Sequence, residues 1–111
     1  MNATTRSTGE TTNIELGGNI TLVGFKELHH TELIVVKKMV GNQLRKIAGD
    51  IQVNELRLVL KPVHKTDVEH TKWELHATLD LNGKIYNSEV VEHNLYIALD
   101  DILKKLEAQV K

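Results

Sequence analysis

The strongest constraint in the chain is a stretch of strict alternation broken by one two-residue turn. Trp73, Leu75, Ala77, Leu79 and Leu81 alternate with Lys72, Glu74, His76, Thr78 and Asp80, and Asn82-Gly83 follows. A period of two marks a half-buried strand, and Asn-Gly supplies the two positive-φ residues of a tight hairpin turn. Such a turn leaves no freedom in register. It predicts Leu79 opposite Tyr86, Ala77 opposite Ser88 and Leu75 opposite Val90 on an inner face. His76 then meets Glu89, and Thr78 meets Asn87, on a polar outer face.

The rest of the chain must cover the apolar side of that hairpin. Leu33, Val36, Val40, Leu44 and Ile47 recur on one helical face, so a helix is expected from Thr31, with Thr31 as its cap and Gly49 as its exit. Gly41 inside it weakens the helix by about 1 kcal/mol relative to alanine, which points to a close approach by another element. Leu56, Leu58 and Leu60 alternate with Glu55, Arg57, Val59 and Lys61 in a strand that Pro62 is expected to stop, with a polar connection over residues 62–71. Ile20 and Leu22 place an earlier strand at 19–24, and Ile14 to Leu16 before Gly17-Gly18 suggest a short extra one. Asn94 can cap a last helix whose buried stripe is Leu95, Leu99, Ile102, Leu106 and Val110, with acid-before-base pairs Asp100–Lys104 and Asp101–Lys105.

The element order is therefore β-α-β-β-β-α. It predicts an α+β fold, a two-layer sandwich with both helices on one face of a four-stranded sheet. The first two strands are expected to be parallel, joined by the helical crossover. The threonine-rich residues 1–12 have too few apolar groups to offset the entropy of ordering, so they are expected to be a disordered tail and residues 13–111 a single domain.

Composition then narrows the function. With no cysteine there is no disulfide or thiolate metal site, and the start of the chain carries no apolar leader, so a cytoplasmic protein with no membrane association is expected. Asn2-Ala-Thr4 and Asn19-Ile-Thr21 match the glycosylation pattern by chance on that reading. The formal charge is only −1, but it is uneven: residues 26–65 carry eight bases against four acids, and residues 66–111 carry five against nine. Lys37, Lys38, Arg45 and Lys46 lie mostly off the apolar stripe of their helix, where phosphate contact needs only positive charge and reach.

Six histidines raise metal binding, with His64, Asp67, Glu69 and His70 the better candidates. A zinc site needs about four ordered ligands, and a solvated loop is the simpler reading. His76 with Glu89 reads as a cross-strand polar pair rather than an acid–base dyad. Trp73 falls on the inner face, and the outer sheet face has no aromatic pair for stacking bases. The chain shows no glycine-rich phosphate loop or nucleophile elbow, so an enzyme is not expected, and neither is a cofactor or a metal.

Several segments together resemble the ribosome hibernation-promoting factor and ribosome-associated inhibitor family. They are residues 72–79 (KWELHATL), Asn82-Gly83-Lys84, residues 86–90 (YNSEV), residues 94–100 (NLYIALD) and residues 105–110 (KLEAQV). The length fits the short, single-domain type, without the dimerisation domain of the long members. The resemblance implies a non-catalytic protein that binds the small ribosomal subunit and its rRNA and inhibits translation as a stress-response hibernation factor. It implies rRNA contact through basic groups on helices and loops, and Lys105 matches one such helix position. Ala108 stands where the family often has arginine, which shifts the expected contact toward the first helix and the Lys61–Lys65 loop. The expected rRNA-binding set is Lys37, Lys38, Arg45, Lys46, Lys61, Lys65, Lys104 and Lys105. The alternatives are a protein-interaction adaptor on the same fold without RNA binding, favoured by the acidic second half, and a small metal-binding protein.

Overall fold

The computed structural model describes residues 11–15, 19–26, 28–64 and 71–111. The elements run β1 (Thr11–Glu15), β2 (Asn19–Val23), α1 (His30–Ala48), β3 (Val53–His64), β4 (Thr71–Leu81), β5 (Lys84–Glu92) and α2 (Leu95–Val110). They form one sheet in the order β1-β2-β3-β4-β5, with β2 and β3 parallel and every other neighbouring pair antiparallel. The expected β-α-β-β-β-α unit is β2 to α2. The short extra strand is β1, and it takes in Thr11 and Thr12, which composition assigned to the tail, because their backbones pair with Val23 and Leu22. The remainder of the expected tail lies outside the described residues.

Alternation and register decide which face is buried. Ile20, Leu22, Leu56, Leu58, Leu60, Leu75, Ala77, Leu79, Leu81 and Val90 join Val36, Val40, Leu44 and Ile47 of α1 and Leu95, Leu99, Ile102 and Leu106 of α2 in a single core. Both helices therefore cover the same sheet face, with α2 over β4 and β5 and α1 beside it. The opposite face leaves Arg57, Lys61, Thr78, Asn87 and Glu89 exposed and His76 half-buried. The β4–β5 register agrees residue by residue with the expected one, and Asn82 (φ 51°) and Gly83 (φ 96°) make the turn. The Asp80 carboxylate accepts from the Gly83 N–H at 2.8 Å and fixes it further.

Two boundaries differ from expectation for identifiable reasons. Helix α1 starts at His30 with His29 as its cap, because the Glu32 carboxylate reaches back to the His29 N–H at 3.0 Å, three residues upstream. Strand β3 continues through Pro62 to His64 instead of stopping. Pairing with β2 ends at Val59, while pairing with β4 continues to His64. A Cβ on Gly24 would stand 2.2 Å from the Leu60 carbonyl oxygen, so the backbone groups of Leu60 face the β2 side. Two residues on, the missing N–H of Pro62 faces the same side, where there is no neighbour to bond. Gly41, expected to mark a close approach by another element, is buried in α1. No helix is long and apolar enough to cross a membrane among the described residues.

Candidate nucleic-acid interface

Helix α1 carries the cleanest basic surface. Its apolar stripe turns Lys38, Arg45 and Lys46 to solvent and leaves Lys37 half-buried at the stripe's edge. Glu32, the only acid in α1, is at the first turn and occupied with the cap. Among the described residues no ion pair joins Lys37, Lys38, Arg45 or Lys46 to an acid. The Arg45 guanidinium donates instead to the Asn42 side-chain oxygen at 2.6 Å, one turn back, which holds its fork against the helix surface. Arg45 and Lys46 also stand at the negative end of the helix dipole. Lys111 arrives there from α2: its ammonium donates to the Lys46 carbonyl at 3.0 Å while lying 3.6 Å from Glu107. Sequence reasoning missed Lys111, since only the packing of α2 beside α1 brings it there.

The other expected residues lie elsewhere. Lys61 is exposed on the sheet face away from the helices, opposite Glu74 across β3 and β4. With Lys26 it flanks a groove lined by Val23, Gly24, Val59, Leu60 and Pro62, where β3 outruns β2. Lys26 entered the charge count but not the expected set, because its place beside Lys61 follows from sheet register. On α2, Lys104 is tied to Asp100 at 2.9 Å, and that hydrogen bond raises its pKa above the usual lysine range. Lys105 does not pair with Asp101 but donates to the Glu89 carbonyl at 3.3 Å. Lys65 lies outside the described residues. The described part of the expected set therefore divides among three surfaces, and its largest group, the four bases of α1, has no member ion-paired to an acid among the described residues.

The outer sheet face carries a small polar cluster. His76 meets Glu89 through Nδ1 at 3.2 Å, the expected cross-strand partner, and Glu74 through Nε2 at 2.5 Å. The hydrogen bond from His76, supported by the charges of His76 and Lys61, holds the Glu74 carboxyl below its ordinary value despite some desolvation. Thr78 donates to Asn87 at 3.0 Å beside it. Among the described residues no group of three or more His, Cys, Asp or Glu side chains is arranged to hold a metal. Asp67, Glu69 and His70 lie outside those residues, as does the side chain of His64. Trp73, Tyr86 and Tyr96 pack partly buried against the core, as the inner-face position of Trp73 required.

The fold has a solved counterpart. The crystal structure of the N-terminal domain of Protein Y from Thermus thermophilus matches with a TM-score of 0.59 and 26% identity, over 77% of this chain and 84% of that one. The resemblance to the hibernation-promoting factor family holds. A ribosomal subunit interface protein from Coxiella burnetii is also similar, with a TM-score of 0.42 and 20% identity over 62% of this chain and 75% of that one. No family model and no curated protein sequence matches the chain.

Proposed function

We propose that this protein is a ribosome-binding translation inhibitor that acts on the small subunit, with α1 supplying its principal rRNA contact. The observation that carries the reading is the match to the Protein Y domain over most of both chains, joined to the hairpin and α2 motifs that resemble the same family. The face of α1 adds a physical means: four bases, none ion-paired to an acid among the described residues, and a guanidinium held in place by Asn42. Positive charge at that reach neutralises phosphates whatever the base sequence, which suits a factor that recognises a fixed rRNA surface. The role needs no catalytic residue or cofactor, and a ribosome partner places the protein in the cytoplasm.

Co-sedimentation with small subunits, and inhibition of translation in an extract, test the reading. Four phosphate contacts give a binding slope that lowers affinity roughly a hundredfold between about 50 and 200 mM salt. Absence of binding at low salt, with subunits from the protein's own source, overturns the reading in favour of the adaptor alternative.

A further inference from the structure

Strand β5 is an edge of the sheet, and among the described residues its one strand neighbour is β4. The two-residue turn makes Leu81 and Lys84 a hydrogen-bonded pair, so the even-numbered residues of β5 bond to β4. The odd-numbered ones, Ile85, Asn87, Glu89 and Val91, direct their N–H and C=O groups outward. Two side chains of α2 confirm this direction: Gln109 donates to the Asn87 carbonyl at 2.6 Å and Lys105 to the Glu89 carbonyl at 3.3 Å. The outer face of the same strand leaves Ile85 52% and Val91 56% exposed. These are unusually open positions for large apolar side chains next to an unpaired edge.

The sequence of β5 is complementary to itself read backwards. With a two-fold axis at Ser88, an antiparallel copy sets Lys84 opposite Glu92, Ile85 opposite Val91, Tyr86 opposite Val90 and Asn87 opposite Glu89. A small residue stands on the axis. Every opposed pair is favourable, and the register uses the whole strand. Sliding the copies so that Asn87 lies on the axis sets Ile85 against Glu89 and Lys84 against Val90. Sliding the other way puts Glu89 against Glu89. The register that pairs the full strand is thus the one that pairs the charges and the exposed aliphatic groups.

We propose that the protein forms a two-fold dimer through β5, joining two sheets into one continuous sheet. The partner is a second copy of this chain. About eight backbone hydrogen bonds form across the axis, from the outward groups of the four odd residues on each side. They replace the two side-chain bonds by which Lys105 and Gln109 cap the edge in the single chain. Both caps are exposed, so withdrawing them disturbs no packing.

Sedimentation of the full chain over a range of concentrations tests this through four variants. The unmodified protein should show a concentration-dependent dimer. E92K places lysine opposite Lys84 twice by symmetry and should weaken association about tenfold, as should K84E at the other end of each pair. The double exchange K84E/E92K should restore association, which a general loss of folding does not allow. K105A/Q109A, with the edge uncapped, should associate more tightly than the unmodified chain. A protein that stays monomeric at every concentration overturns the proposal, and so does a dimer that E92K and K84E leave unchanged or that the double exchange fails to rescue.

Discussion

Replacing Gly24 by alanine separates two costs that are usually confounded. Gly24 has φ +84°, and a Cβ there would lie 2.2 Å from the Leu60 carbonyl oxygen and 3.2 Å from its carbon. An ordinary carbon–oxygen contact is about 3.3 Å, so one backbone must move by about 1 Å. Leu60 cannot move cheaply, because it is paired with Leu75 in the interior of β3–β4 and its side chain is 3% exposed. Gly83 has φ +96° but nothing within 4 Å of the added carbon. Positive φ alone costs a non-glycine residue about 1–2 kcal/mol, so Gly83→Ala should lose about that much. Gly24→Ala bears the same strain plus the clash, and should lose about 3–5 kcal/mol from a total of about 5–15. The gain from a stiffer unfolded chain is common to both variants and cancels in the comparison. With a urea slope of about 1 kcal/mol per molar, the midpoint should fall by roughly 3 M or more for Gly24→Ala and by roughly 1–2 M for Gly83→Ala. Equal losses, within about 0.5 kcal/mol, would refute the close approach of Gly24 to β3.

Further outcomes follow from the same structure. Changing Lys37, Lys38, Arg45 and Lys46 together to glutamate should abolish co-sedimentation with small subunits while the circular dichroism spectrum stays native, since the four sites are off the buried stripe. The pair K104E/K105E should weaken binding less, because Lys104 is held by Asp100 and Lys105 by the Glu89 carbonyl; equal loss in both variants would argue against α1 as the main contact. Asn94→Ala removes the side-chain acceptor of the Tyr96 and Ile97 N–H groups and should cost about 1 kcal/mol in chemical denaturation. Because the folded Glu74 carboxyl is held below its ordinary value, its contribution to stability is present above the unfolded carboxylate range and is lost as pH falls through the folded value. Glu74→Gln should therefore flatten that part of the acid limb in thermal melts taken from pH 7 to 3, and an unchanged limb would show that the contact with His76 adds nothing.

What was legible in the sequence was whatever a local rule determines completely. The Asn82-Gly83 turn fixes the β4–β5 register by itself, so the opposed pairs from Leu79–Tyr86 to Leu75–Val90 could be written down before any fold was known. The cap at Asn94 and the pair Asp100–Lys104 are likewise reached within one helical turn. The failures occur where a local signal competes with a partner that only tertiary structure supplies. Thr31 is a reasonable helix cap by residue type, yet Glu32 reaches back to His29. Pro62 is a strand breaker unless the strand on its N–H side has already ended, and nothing near Pro62 reveals that β2 stops opposite Val59. Lys105 has an acid at the ideal helical spacing, but α2 packs against β5 closely enough that the Glu89 backbone carbonyl takes the ammonium instead.

The basic residues illustrate the same limit from the functional side. Charge counted along the chain treats Lys38 and Lys61 alike, since both fall in the basic segment 26–65. The fold separates them. Lys38 is on a helix with no available acid, while Lys61 is on the opposite side of the sheet beside Glu74 and helps to hold that carboxylate ionised. A phosphate approaching Lys61 must compete with the neighbouring Glu74, whereas at α1 the nearest acids are already engaged, Glu32 with the helix cap and Glu107 with Gln43 and Lys111. Among the described residues the electrostatic case for nucleic acid is thus strongest at α1, because neutralisation depends on which neighbours a lysine faces, and that is decided by sheet order rather than by position along the chain.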